Sequence, residues 1–172
     1  MIAKYNGEHY YYVCGEEIFD KRYKLAKESD ISNIITMKKE KCSSDFLAVP
    51  QYGEFYKKVD MHELTDIFYV EFFIEYDTGL PDIGVIKNWS FDKVKDDLIK
   101  LEYSPGQLPG WYPEEQYVCS KYVGRDEILS SKIMTVYTKK NGVMFSEPYI
   151  IEENVDYGEL IYWCKYYSRR NL

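Results

Sequence analysis

Phe68 to Asp77 reads FYVEFFIEYD. Phe68, Val70, Phe72, Ile74 and Tyr76 alternate with Tyr69, Glu71, Phe73, Glu75 and Asp77, the period of two expected of a strand with one buried face and one partly wet face. Such a strand belongs to a mainly antiparallel sheet, because parallel strands are buried on both sides and lack this alternation. Thr78-Gly79-Leu80-Pro81 supplies the residues that end it, and Asp82 to Asn88 reads as a neighbouring strand.

Working outward, Asn6-Gly7 lies between Ala3-Lys4-Tyr5 and His9 to Val13, and Asn141-Gly142 lies between Lys132–Lys139 and Val143–Ile151. Asn-Gly accepts the positive φ angles of a two-residue hairpin turn, so a β-hairpin is expected at each place. Pro148 marks the last of these strands as edge-like or bent. The two hairpins do not establish an internal repeat.

Helices are expected in two places. Ser90 can cap a helix carrying Phe91, Val94, Leu98 and Leu101 at three- and four-residue steps. Asp156 precedes Leu160, Ile161 and Cys164, with Arg169 and Arg170 placed where cations favour a helix's carbonyl end. Residues 16 to 66 are open: Ile18, Phe19, Tyr23 and Ala26 fit a helix, whereas Ile34, Ile35, Thr36 and Met37 fit a strand equally well. Asp60 and Glu63 have capping-box spacing for a short helix just before the long strand. No linker or composition break divides the chain, so residues 1 to 172 are expected to form a single α+β domain, mainly antiparallel sheet with two or three helices.

The net charge is -7, with Asp and Glu outnumbering Lys and Arg by 29 to 22. That balance disfavours a phosphate-binding surface, so no nucleic acid is expected, and it makes a basic partner easier to attract. The opening MIAKYNGEHYYYV lacks the apolar run of a secretory leader, and the longest greasy segment, Ile67 to Ile74, is interrupted by Glu71, so neither export nor a membrane partner is expected. Cys14, Cys42, Cys119 and Cys164 show no C-x-x-C pairing, consistent with a reducing cytoplasm. Cys14 and Cys164 stand in aromatic or apolar company, as core thiols do.

Motifs that carry chemistry are sparse. No glycine-rich phosphate loop occurs. His9 and His62 are the only histidines, too few for a histidine-rich zinc site, so neither metal nor cofactor is expected. Cys14 with His9, and Cys119 with His62, are formal nucleophile and base pairs, but residues five apart on a strand point to opposite faces, which argues against the first. Glu75 and Asp77, two apart on a strand and so about 7 Å from each other, fall within the separation of an inverting carboxylate pair. The plainer reading is the solvated face of a sheet.

Thirty aromatic residues, 19 of them tyrosine, exceed what a closed core accommodates, since each buried hydroxyl needs a partner. Tyrosines must therefore reach the surface, where they suit protein interfaces. A low-GC bacterial or phage genome would also enrich tyrosine through codon usage. The segment SPGQLPGWYPEEQY, Ser104 to Tyr117, cannot be a continuous helix or a central strand. Pro105, Pro109 and Pro113 fix φ at intervals of four, and Gly106 and Gly110 permit turns between them, giving a preorganised loop. Leu108, Trp111 and Tyr112 are the candidate anchors of a partner-binding site, and Glu114 and Glu115 its acidic rim. A lid in which Leu108 and Trp111 fold back is the structural alternative.

These features predict a noncatalytic protein-binding module of the inhibitor or toxin-neutralising immunity kind. A small-molecule-binding domain or hydrolase with a carboxylate-lined pocket, and an acidic nucleic-acid mimic, are the alternatives.

Overall fold

The computed structural model describes residues 1–13, 33–38, 46–49, 54–80, 83, 85–88, 94–104 and 106–167. Thirteen strands are found among them: β1 (Ile2–Tyr5), β2 (Glu8–Val13), β3 (Asn33–Lys38), β4 (Leu47–Val49), β5 (Glu54–Val59), β6 (Leu64–Asp77), β7 (Val85–Asn88), β8 (Val94–Lys95), β9 (Leu98–Tyr103), β10 (Tyr112–Glu115), β11 (Val118–Val123), β12 (Ile128–Lys140) and β13 (Val143–Asn154). One α-helix, α1 (Tyr157–Tyr166), follows. One sheet runs in the order β13-β12-β6-β1-β2-β3-β5-β4 with β7 on β6, and a second in the order β10-β11-β9-β8. The pairs β1–β2, β1–β6, β2–β3, β3–β5, β4–β5, β6–β7, β8–β9, β9–β11 and β10–β11 are antiparallel.

The decisive strand forms as its alternation requires. In β6, Phe68, Val70, Phe72, Ile74 and Tyr76 are buried, while Tyr69 and Asp77 are exposed and Glu71, Phe73 and Glu75 lie between. Near its start the pairing with β1 slips, Tyr5 facing Leu64 and Lys4 facing Asp66, so Thr65 is an extra residue. The bulge brings Leu64 and Ile67 onto one face; beyond it the register is continuous, and Ile67 and Phe68, like Ala3 and Ile2 opposite them, are all buried, so both faces of the sheet are covered at this point. Asp77 ends the strand by accepting a hydrogen bond from the Gly79 amide (2.9 Å), and β7 pairs with β6 where a neighbour was expected.

Both Asn-Gly turns are present, with Asn6 and Gly7 at φ 48° and 86° and Asn141 and Gly142 at 51° and 82°. Strand β13 lies at the end of its sheet, where Pro148 costs no central ladder bond. The region left open resolves to strand at Ile34 to Met37, inside β3; Ile18, Phe19, Tyr23 and Ala26 lie outside the described residues. Asp60 and Glu63 bracket a single 3-10 turn, Met61–Glu63, with the Asp60 amide donating to Glu63 Oε2 (2.7 Å).

The helix expected over Phe91 to Leu101 does not form. Val94–Lys95 and Leu98–Tyr103 are instead the two arms of a hairpin turning at Asp96-Asp97, both at positive φ (52° and 62°). Aspartate tolerates that conformation better than most residues. Ile99 and Leu101 are buried two apart while Leu98 is exposed, so the period here is two; the helical spacing counted Leu98 as core and left Ile99 out. Ser90 and Phe91 lie outside the described residues. Among those described, the helices number one rather than two or three. In α1 the Asp156 carboxylate caps the helix by accepting from the Glu159 amide (2.9 Å), and Leu160, Ile161 and Cys164 are its buried face; Arg169 and Arg170 fall outside the described residues.

The chain divides into two compact units, residues 1–69, 136–150 and 169–172 in the first and 70–135 and 151–168 in the second. The first is built around Ala3, Tyr5, Tyr12, Phe46, Val59, Leu64 and Ile67, with Tyr10, Phe55 and Met61 packed against them. The second buries Phe72, Ile74, Ile99, Leu101, Cys119, Val123, Leu160 and Cys164.

Each unit contains the same module. Strands β3, β5 and β4 carry the rung Thr36–Tyr56–Leu47, and β9, β11 and β10 carry the rung Glu102–Ser120–Tyr112. In both, the middle strand ends in a buried valine, Val59 or Val123. A 3-10 turn closed by a glutamate on a backbone amide follows, Glu63 on Asp60 or Glu127 on Gly124, and then a long strand. Two residues before each valine a lysine donates to a tyrosine hydroxyl and lies over its ring: Lys57 to Tyr5 (2.7 Å) and Lys121 to Tyr76 (2.9 Å).

Candidate partner-binding surface

The loop from Ser104 to Tyr117 is built into the second unit by its prolines and glycines. Leu108-Pro109-Gly110-Trp111 is a tight turn, closed by the Trp111 amide on the Leu108 carbonyl (3.0 Å), with proline supplying the fixed φ and Gly110 the positive one (77°). The Gly106 amide donates to the Tyr117 carbonyl (2.9 Å), and the Gln107 side-chain amide to the Glu115 carbonyl (3.3 Å). Pro105 is outside the described residues.

The loop leads into β10, an edge strand, where Pro113 is tolerated for the reason that bars it from a central one. Leu108 is buried (5 % exposed) and Trp111 is half-buried, its ring edge-on to Tyr76 at 5.8 Å. Tyr112, by contrast, is 72 % exposed, and Glu114 and Glu115 are exposed beside it. Of the five residues picked out from sequence, Leu108 and Trp111 thus hold the loop, and Tyr112, Glu114 and Glu115 are presented.

The sheet behind β10 sorts its residues by face. On β9 and β11, Ile99, Leu101, Cys119 and Val123 point into the core. The opposite face carries Lys100, Glu102, Ser120 and Tyr122, with Tyr112 directly across from Ser120. A register shift between Pro113 and Glu115 frees Glu114 from simple alternation, and bulges re-aim side chains in this way. Glu114 Oε1 accepts from Lys100 Nζ (2.6 Å) and from Ser120 Oγ (2.7 Å). Lys100 also reaches Glu102 at 3.5 Å. The hydrogen bond to Glu114, with the two carboxylate charges, raises the Lys100 pKa above its ordinary value. Above this cluster lies an open groove of about 430 Å³, walled by Tyr112 and Tyr122 and floored by Ser120.

Lys121, next along β11, is held between Tyr76 and Glu127. The hydrogen bond from Lys121, assisted by that from the Gly124 amide, lowers the Glu127 pKa. Sequence reasoning missed Lys100, Ser120, Lys121 and Tyr122. Their signal was the alternation in LIKLEY and VCSKYV, hidden once the first was taken for helix.

The other candidate groups have structural surroundings. Glu75 accepts from Ser130 Oγ (2.9 Å) and Asp77 closes the turn at Gly79. His9 sits edge-on to Phe68 at 5.6 Å, and burial lowers its pKa; Cys14 lies outside the described residues. Cys119 is fully buried and His62 exposed. Among the described residues no three His, Cys, Asp or Glu side chains converge as a metal site, and no helix is long and apolar enough to cross a membrane. Comparison with protein-family models, with curated proteins and with solved structures finds no match to this chain.

Proposed function

We propose that this chain is a noncatalytic protein-binding module, of the inhibitor or toxin-neutralising immunity kind, that contacts a basic partner through β10 and the groove beside it. The observation that carries the reading is the split within one loop: Leu108 and Trp111 face inward and fix the backbone, leaving Tyr112 72 % exposed beside Glu114 and Glu115. A large aromatic ring held out on a preorganised edge loses little entropy when it is covered. The surplus of carboxylates, a net charge of -7, favours encounter with a basic surface.

The test is capture of a partner from the source cell, identification of that partner, and measurement of its affinity with both proteins purified. Tyr112→Ala should weaken binding by roughly 10- to 100-fold, as loss of an interface anchor does. Glu115→Lys should slow association while leaving the melting temperature unchanged. Affinity unaltered by both substitutions would remove this surface from the interface.

A further inference from the structure

The walls of the groove are two tyrosine rings on neighbouring strands of one sheet face. Because Tyr112 is directly opposite Ser120, Tyr122 is its diagonal neighbour, and diagonal side chains on an antiparallel pair are about 7–8 Å apart. That gap admits one ring, since each face of an inserted group needs about 3.5 Å of van der Waals separation. Gly110, also on the groove wall, has open space where a Cβ would stand, so nothing of the protein's own fills the gap from that side. Both tyrosines are open to solvent, Tyr112 at 72 % and Tyr122 at 43 %, and neither hydroxyl has a hydrogen-bond partner among the described residues.

The polar lining of the groove, by contrast, is committed within the protein. Glu114 Oε1 accepts from both Lys100 and Ser120, and Lys121 donates to Tyr76 and pairs with Glu127. An ion entering the groove has to break one of these pairs, whereas a neutral group leaves them intact. Two aromatic faces and two phenol hydroxyls remain on offer. A proline suits them: it has no N–H that needs an acceptor, its ring packs against an aromatic face, and its carbonyl is bare to accept from a phenol. One charge beside the groove is uncommitted. Glu115 is exposed, stands opposite Val118 and so on the same face as Tyr112, and its carboxylate pairs with no described cation. It lies three residues along β10 from Tyr112, at most about 10 Å, which is the rise of about three residues of a polyproline helix.

Resting on the binding role proposed above, we infer that the groove receives a proline from an extended, proline-rich segment of the protein partner, its ring held between Tyr112 and Tyr122, and that a lysine or arginine about three residues along that segment meets Glu115.

The experiment uses the full chain and three acetylated hexapeptide amides, one of five prolines and a lysine, one of five alanines and a lysine, and one of five prolines and a glutamate, with the ring resonances of Tyr112 and Tyr122 followed by NMR. In about 0.15 M salt, where more distant charges are screened, the proline–lysine peptide should shift both rings saturably. The alanine–lysine peptide should bind at least about tenfold more weakly, and the proline–glutamate peptide about three- to tenfold more weakly. Tyr122→Ala should weaken the proline–lysine peptide by about tenfold or more, and Glu115→Gln should bring the two proline peptides to within about twofold of each other; retained amide-shift dispersion shows that each variant is folded. Equal binding of the proline–lysine and alanine–lysine peptides, no shift at either ring, or full affinity in Tyr122→Ala would overturn the proline site, and an undiminished difference between the proline peptides in Glu115→Gln would overturn the role of Glu115. If the proline peptides fail while Tyr112→Ala still weakens the identified partner, the proline site falls and the binding surface stands. If they bind and Tyr112→Ala leaves the partner's affinity intact, the site exists and that partner's interface lies elsewhere.

Discussion

Cys164 lies on the buried face of α1, and burial pushes its thiol up to about 12. A thiol must ionise to attack an electrophile, so Cys164 should resist alkylation in the folded protein and react on unfolding. The same shift makes stability depend on pH. The unfolded thiol ionises near 9 and the folded one near 12, so its contribution is complete below 9 and fades as pH rises towards about 12. Urea titrations over that range should show the native chain losing stability relative to Cys164→Ala; parallel curves would mean that the sulfur is not the responsible group. The core character of Cys164 was legible from its aromatic neighbours. The opposite fates of Trp111 and Tyr112 were not, because both are large amphipathic rings in one loop. What separates them is Tyr76, which packs in a T-shaped pair with the indole of Trp111 and comes from a strand distant in sequence.

The strand 68–77 and both Asn-Gly hairpins could be read directly, since in each the local period or turn chemistry agrees with the final pairing. The β8–β9 hairpin could not, because Val94, Leu98 and Leu101 fall at the spacing of an amphipathic helix. What excludes the helix is tertiary: Ile99 and Leu101 are buried on one face of a sheet in which they stand opposite Val123 and Lys121 of β11, a strand more than a dozen residues away. The β8–β9 turn is also tied down from afar. Tyr157, at the start of α1, has its hydroxyl 2.6 Å from the Asp97 carbonyl and 3.1 Å from the Val123 carbonyl, and Lys165 pairs with the Asp97 carboxylate. One hydroxyl proton serves two acceptors, so Tyr157→Phe leaves both carbonyls without it. A loss of about 1–3 kcal/mol in unfolding free energy is expected, measured by denaturant titration. A loss within error would show that water substitutes for the phenol.

At the scale of the whole chain, the repeated three-strand module escaped sequence reading because few identities mark it. Lys57, Val59 and Glu63 recur as Lys121, Val123 and Glu127. Just before them Phe55 and Tyr56 stand where the second copy has Cys119 and Ser120, so only backbone register reveals the match. All three tryptophans, Trp89, Trp111 and Trp163, fall in the sequence segments of the second unit, so their fluorescence reports on that unit while far-ultraviolet dichroism reports on both. Strands β6, β12 and β13 each contribute residues to both units. A shared strand cannot melt in one half without fraying the other, so the two signals should give coincident denaturation midpoints. Separate midpoints would mark the units as independent domains.

Strand β13 has a colloidal consequence. Its outer edge pairs with no described strand, and Val143, Met144, Tyr149 and Ile150 stand exposed along it. Along the same strand stand Glu147 and Glu153, whose charges oppose the pairing of two such ribbons, Glu152, which is paired with Lys132 (2.7 Å), and Pro148, which denies a continuous ladder. The isoelectric point of about 5.0 brings the net charge of the whole chain to zero in mildly acidic buffer, where molecules no longer repel one another at long range. Turbidity should therefore climb as the solution is acidified from neutrality, and Pro148→Val should bring its onset to higher pH; clear solutions throughout would show that the ribbon is guarded by something other than charge.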